Sequence, residues 1–186
     1  MVRQLNGRCI DWVRLLAERN NAAAGKSVVE NRDLWLGLDV RHMSPLATLP
    51  FVIVDAHFTD ISSWAGAVRG QIDVIDDSVG VPMLDATREL MDEVAMFAWQ
   101  VVRWDRTTAQ LSLGMTASVA ELISSLGPQQ MREISRSGAG WLQLRWRKDA
   151  RFWRELLTAA SQDDSRLLSV LSLHAKLRLC SDLTRA

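Results

Sequence analysis

Apolar positions along this chain recur mostly at helical spacing, in short stretches broken by capping residues and glycines. Ile10, Val13, Leu15 and Leu16 predict an amphipathic helix from about Asn6 to Asn20. The run NNAAAGK over 20–26 then reads as its end and a loop. Leu49-Pro50-Phe51-Val52-Ile53-Val54 is a short apolar, β-branched run and the best strand candidate in this half. Asp60-Ile61-Ser62-Ser63-Trp64 sets a capping carboxylate before a short helix. Gly70 to Val81 is acidic and punctuated by Gly80 and Pro82, the composition of a linker.

From Met83 onward the helical period sharpens. Leu90, Val94, Phe97, Val101 and Trp104 recur at spacings of four, three, four and three, and Met91, Ala95, Ala98 and Val102 form a second stripe beside them. A helix apolar over most of its circumference is central to its own core or shared with another chain, and two stripes on one helix favour sharing. Shorter pieces follow. Thr107 to Leu113 is a helix stopped by Gly114, Thr116 caps a second through Leu126, and Pro128 starts a third that ends near Gly138 and Gly140. Trp141 to Arg147 alternates like a short strand, with Leu142, Leu144 and Trp146 on one side. Arg151 to Ala160 is helical, and Asp163 or Asp164 caps a last leucine-rich helix to about Leu183.

Composition sets bounds on this picture. The 186 residues are 48% hydrophobic and 24% charged, enough to bury a core without disulfides or metals. No apolar run approaches the roughly 18 residues of a membrane span, and the first residues lack the apolar stretch of a signal peptide. With only Cys9 and Cys180, the expectation is a cytoplasmic protein, without membrane attachment, whose thiols are packed rather than ligating. The net charge of zero conceals a polarity. Residues 1–99 hold 9 Lys and Arg against 14 Asp and Glu, a net of −5, whereas residues 100–186 hold 13 against 8, a net of +5. Oriented association, or nucleic-acid contact by the second half, fits such a split.

Catalytic chemistry finds no foothold. His42, His57 and His174 are far apart and sit in no metal-ligand spacing, and no GxSxG, P-loop or GxGxxG occurs. The pairs Asp76-Asp77 and Asp163-Asp164 are sequence neighbours, which do not face each other on a helix. The expectation is therefore no enzyme, no metal and no cofactor. The helix–Gly–helix unit around Gly114 has the outline of a helix-turn-helix corner, an arrangement that helical hairpins also adopt for structural reasons. A sharper signal lies at 145–154. There Arg145, Arg147, Lys148, Arg151 and Arg154 interleave with Trp146, Phe152 and Trp153. Guanidinium groups pair with phosphate while aromatic stems pack beneath them; a solvated basic face over core aromatics has the same composition.

Several anchors in order carry a family likeness. Asp105-Arg106-Thr107-Thr108-Ala109 precedes Leu113-Gly114, and Leu126 precedes Pro128-Gln129-Gln130-Met131. The alternating Leu142-Gln143-Leu144-Arg145-Trp146 comes next, then Asp164-Ser165-Arg166 with His174 ten residues after the aspartate. From about residue 85 to the end, this pattern resembles the FlhD family, one subunit of the bacterial FlhD–FlhC flagellar transcriptional activator. The resemblance implies an intertwined helical homodimer that joins an FlhC-like partner at promoter DNA. Carried over by position, it places Asp105, Ser165, Arg166 and His174 on a surface for DNA binding or activation. The chain departs from the family pattern at Ser112, where a basic residue is usual, and at Leu142, where a subunit-bridging cysteine stands. The segment between strand and last helix is longer, and residues 1–84 have no counterpart in the pattern.

The resulting expectation is a mainly α protein, with a small α+β segment at 1–82 before an FlhD-like helical domain with one short strand at 83–186. DNA phosphates would be met by Arg145, Arg147, Lys148, Arg151, Arg154 and Arg166, and the Leu90–Trp104 stripe would serve the core or the dimer. The rival expectation is a protein-interaction module on the same scaffold, without DNA binding, that modulates a flagellar or secretion regulator.

Overall fold

A computed structural model describes residues 2–19, 24–71 and 81–185. The architecture is mainly α. The helices are α1 (Val2–Glu18), α2 (Lys26–Val29), α3 (Arg32–Leu36), α4 (Val40–Ala47), α5 (Ile61–Val68), α6 (Val81–Trp104), α7 (Arg106–Leu113), α8 (Ala117–Ser125), α9 (Pro128–Ser137), α10 (Ala150–Ser161) and α11 (Ser165–Arg185). Two short strands, β1 (Val54–Asp55) and β2 (Gln143–Leu144), pair in a two-stranded sheet.

The chain forms two compact units that are not contiguous in sequence. One combines Met1–Val54 with Gln143–Leu177, and the other combines Asp55–Leu142 with Arg178–Ala186. The sequence expectation was a single cut at 82/83. Composition marks where the chain runs between elements, and the linker-like residues 72–80 fall outside the described residues. Which elements share a core is decided by contacts that composition does not encode.

In the first unit, α1 packs on α3 and α4, and α10 packs on α2, α3 and α4. The run 49–54 is almost wholly buried, yet only Val54 of it is strand. Buried carbonyls need donors, and side chains supply them in place of a ladder. Asn6 Nδ2 donates to the carbonyls of Ala47, Leu49 and Phe51, at 3.4, 3.3 and 2.9 Å, and Asn6 Oδ1 accepts from Ile53 N–H at 3.1 Å. A buried asparagine thus does the work of a missing strand neighbour. Trp35 and Trp153, both fully buried, pack at 5.3 Å between ring centroids.

In the second unit, α6 packs on α7, α8 and α9, and α5 packs on α8 and α9. Asp60 and Thr116 cap α5 and α8 as the sequence predicts, accepting from Ser62 and Ser63 N–H and from Val119 N–H; Asp105, not read as a cap in the sequence, caps α7 by accepting from Thr107 N–H. Gly114 ends α7 in the left-handed region at φ 59°, where a side chain costs energy that glycine avoids. Leu90, Val94, Phe97 and Val101 are buried, and so are Met91, Ala95, Ala98 and Val102. Helices of the same unit flank α6, so two apolar stripes here need no second chain. Trp104 departs from its stripe and is 82% exposed.

Candidate nucleic-acid interface

The basic stretch begins as β2 ends. Arg145 follows Leu144 and turns inward: Nε donates to Val52 O at 3.0 Å and Nη2 to Val54 O at 2.9 Å, while its own N–H donates to Ile53 O at 2.9 Å. Only 6% of it is exposed. Arg145 is therefore not a phosphate contact in this fold. It caps the carbonyls of the 49–54 run, and the hydrogen bonds compensate for burying its charge.

The chain then reverses over 145–148. Trp146 takes a positive φ of 50°, with Phe51 at 5.7 Å and Phe152 at 5.1 Å between ring centroids. Asp149 N–H closes the turn on Trp146 O at 2.8 Å, and the Asp149 carboxylate accepts from Phe152 N–H to start α10. Trp153 Nε1 donates to Arg145 O at 2.8 Å. Phe152 and Trp153 thus enter the core, and the half-buried Trp146 packs on Phe51 and Phe152, so the aromatics fix the turn from beneath. Trp146 is not a third residue on a strand face, because the strand ends at Leu144.

What this leaves outside is the pair Arg147 and Lys148, both exposed. Arg151 and Arg154 are exposed too, but each has an anionic neighbour. Arg151 Nε lies 2.9 Å from Glu155 Oε1, which holds its guanidinium charged still more firmly than usual. Arg154 Nε donates to Asn31 Oδ1 at 3.3 Å, and its Nη2 is 3.9 Å from Glu30. Arg166 is exposed in the first turn of α11. Five of the six cations expected to meet phosphate are thus on the surface, with Arg147 and Lys148 exposed in the turn at 145–148.

The helix–Gly–helix corner reads differently. The only charge on α8 is Glu121, which is exposed, and Leu113, Met115, Val119 and Ile123 are buried. A reading helix of that charge would repel phosphate, so the corner is a packing device. Ser112 is buried and donates to Thr108 O at 2.6 Å.

Of the residues placed by family pattern, Asp105 caps α7 in the second unit. Thr108 Oγ1 donates to it at 2.5 Å, and this bond, with that from Thr107 N–H, holds its carboxyl below the usual carboxylate range. Ser165, Arg166 and His174 are exposed on α11. The His174 ring meets Phe152 edge-on at 6.4 Å. Sequence reasoning missed a second feature of this helix. Leu171, Ala175 and Leu179 are buried, while Leu167, Val170, Leu173 and Leu177 are 39–60% exposed. At 100° per residue these rows point in roughly opposite directions. The signal was in the sequence, as a leucine-rich helix with two apolar rows, and went unread because both rows look like core.

No group of three or more His, Cys, Asp or Glu among the described residues is placed to hold a metal ion. Comparison with known families decides the identity of the chain's larger part. Residues 84–185 match the family model described as flagellar transcriptional activator (FlhD). The chain belongs to the FlhD family. No curated protein and no solved structure gives a match. The FlhD-matched region reaches into both compact units. Its residues 143–177 share a core with residues 1–54, which the family model does not cover.

Proposed function

We propose that this chain is a transcription-regulator subunit that works as a homodimer with an FlhC-like partner at promoter DNA, in the cytoplasm. The family match across 84–185 carries the reading, since it ties the chain to a flagellar transcriptional activator. Arg147 and Lys148, with Arg151, Arg154 and Arg166 around them, contribute phosphate contacts that set orientation, and base reading falls mostly to the partner. The exposed row Leu167, Val170, Leu173 and Leu177 supports protein contact along α11, next to Ser165, Arg166 and His174. Among the described residues no helix is long and apolar enough to cross a membrane.

The same row favours the rival reading, an interaction module that captures a regulator and leaves DNA alone. Light scattering on chromatographed protein, with and without an FlhC-like protein and promoter duplexes, separates the two. Under the first reading a dimer shifts DNA once the partner is present. A dimer that takes the partner and never DNA establishes the second reading, and a monomer that binds neither removes both.

A further inference from the structure

We propose that Ser27 and Gly25, which lie outside the FlhD-matched residues, are positioning residues for the Arg147–Lys148 pair. The proposal rests on the nucleic-acid reading of that pair and deepens it, since it makes the N-terminal segment part of the same site.

The reason lies in Trp146. A bulky aromatic at φ 50° occupies a sparsely populated, strained region of backbone conformation. Such a backbone persists only where its surroundings over-determine it, and such strain collects at functional positions. Part of the restraint is local, from Asp149 N–H on Trp146 O. Phe51 and Phe152 pack on the Trp146 ring, and a further part of the restraint comes from more than a hundred residues upstream. Ser27 Oγ donates to Trp146 O at 3.0 Å, and Ser27 N–H donates to Arg147 O at 2.8 Å. One residue thereby holds the carbonyls on both sides of Arg147, and so orients the two peptide planes that aim Arg147 and Lys148. Ser27 is fully buried, so no solvent substitutes for it.

Gly25 makes the approach possible. Its φ is 89°, and a Cβ there would sit 3.0 Å from Arg147 Cβ and 3.2 Å from Arg147 O. Its carbonyl accepts from Val28 and Val29 N–H at the start of α2, which fixes the loop that presses on the turn. Neither residue carries a charge, and Ser27 is buried while Gly25 is half-buried, so each acts through the basic pair.

The experiment uses the full chain and a labelled mixed-sequence duplex DNA, with anisotropy titrations across a salt series. Each protein is measured below the temperature at which its own unfolding begins. Arg147→Gln/Lys148→Gln is expected to weaken binding about tenfold or more and to reduce the salt slope by roughly 2, as two lost phosphate contacts require. Ser27→Ala keeps every charge, yet is expected to weaken binding about three- to tenfold and flatten the slope by about 1. Gly25→Ala leaves every hydrogen-bonding group in place and is expected to do the same by crowding Arg147; it decides the matter should Ser27→Ala not fold. If both variants are folded and bind with the original affinity and slope while the charge variant does not, the two residues only stabilise the fold and the proposal is overturned. If the charge variant or the unaltered chain shows no phosphate-dependent binding, the nucleic-acid reading falls first and takes this proposal with it.

Discussion

The Arg145 guanidinium donates to the carbonyl of Val52, 93 positions away in sequence, and the bond is buried. Arg145→Leu leaves the Val52 and Val54 carbonyls without these donors inside the core. Each unsatisfied group costs about 1–3 kcal/mol, so a loss of about 3 kcal/mol in unfolding free energy is expected. Urea denaturation measures it. The same variant, while folded, is expected to bind DNA as the unaltered chain does; a selective loss of DNA affinity would return Arg145 to the interface.

Phe97 and Trp104 share a stripe in sequence but not in the fold. Phe97→Ala empties a packed position on α6 and is expected to cost about 3–4 kcal/mol. Trp104→Ala removes a side chain that is 82% exposed and is expected to change stability by about 0.5 kcal/mol or less. Equal losses in thermal unfolding would mean that Trp104 is covered in solution.

The cap at Asp105 gives stability a sign with pH. The Thr108 hydroxyl and the Thr107 N–H favour the charged carboxylate, so its folded-state value lies below the unfolded one. The contribution is then fully present above the unfolded value, about 4, and is lost as pH falls through the lower folded value. Asp60, lowered first by the Ser63 hydroxyl, and Asp39, lowered first by His42 N–H, follow the same rule. Asp105→Asn is expected to make unfolding free energy fall less steeply below about pH 4, with a constant offset at neutral pH. An acid limb as steep as the original would show that the carboxylate has no such bonds in solution.

Val170 and Leu173 test the outer row of α11. Because both are exposed, Val170→Glu/Leu173→Glu is expected to keep stability within about 1 kcal/mol of the original. Light scattering and pull-down with an FlhC-like protein are expected to lose the dimer or the partner. Retention of both assemblies would mark the row as an ordinary surface.

Local chemistry was legible from the start. Asp60 and Thr116 cap the helices that their spacing announces, Gly114 stops α7, and the period from Leu90 to Val101 describes a buried helix as found. These features depend on neighbours within a turn or two, and a sequence states such neighbours outright. The family likeness was legible for a related reason, since it rests on the order of short motifs.

Three decisions belonged to tertiary structure alone. The run 49–54 has strand composition, but Asn6 and Arg145 serve its carbonyls from 43 to 93 positions away, so most of it never joins a ladder. The basic stretch 145–154 reads as one surface. Yet hydrogen bonds to carbonyls draw Arg145 into the core, while a left-handed backbone at Trp146 turns Arg147 and Lys148 outward. The segment 1–82 reads as a separate piece, yet its first part, Met1–Val54, forms one compact unit with Gln143–Leu177. Residue type and spacing fix what a short stretch can form by itself. Which buried carbonyl a distant side chain satisfies depends on where the backbone brings the two together.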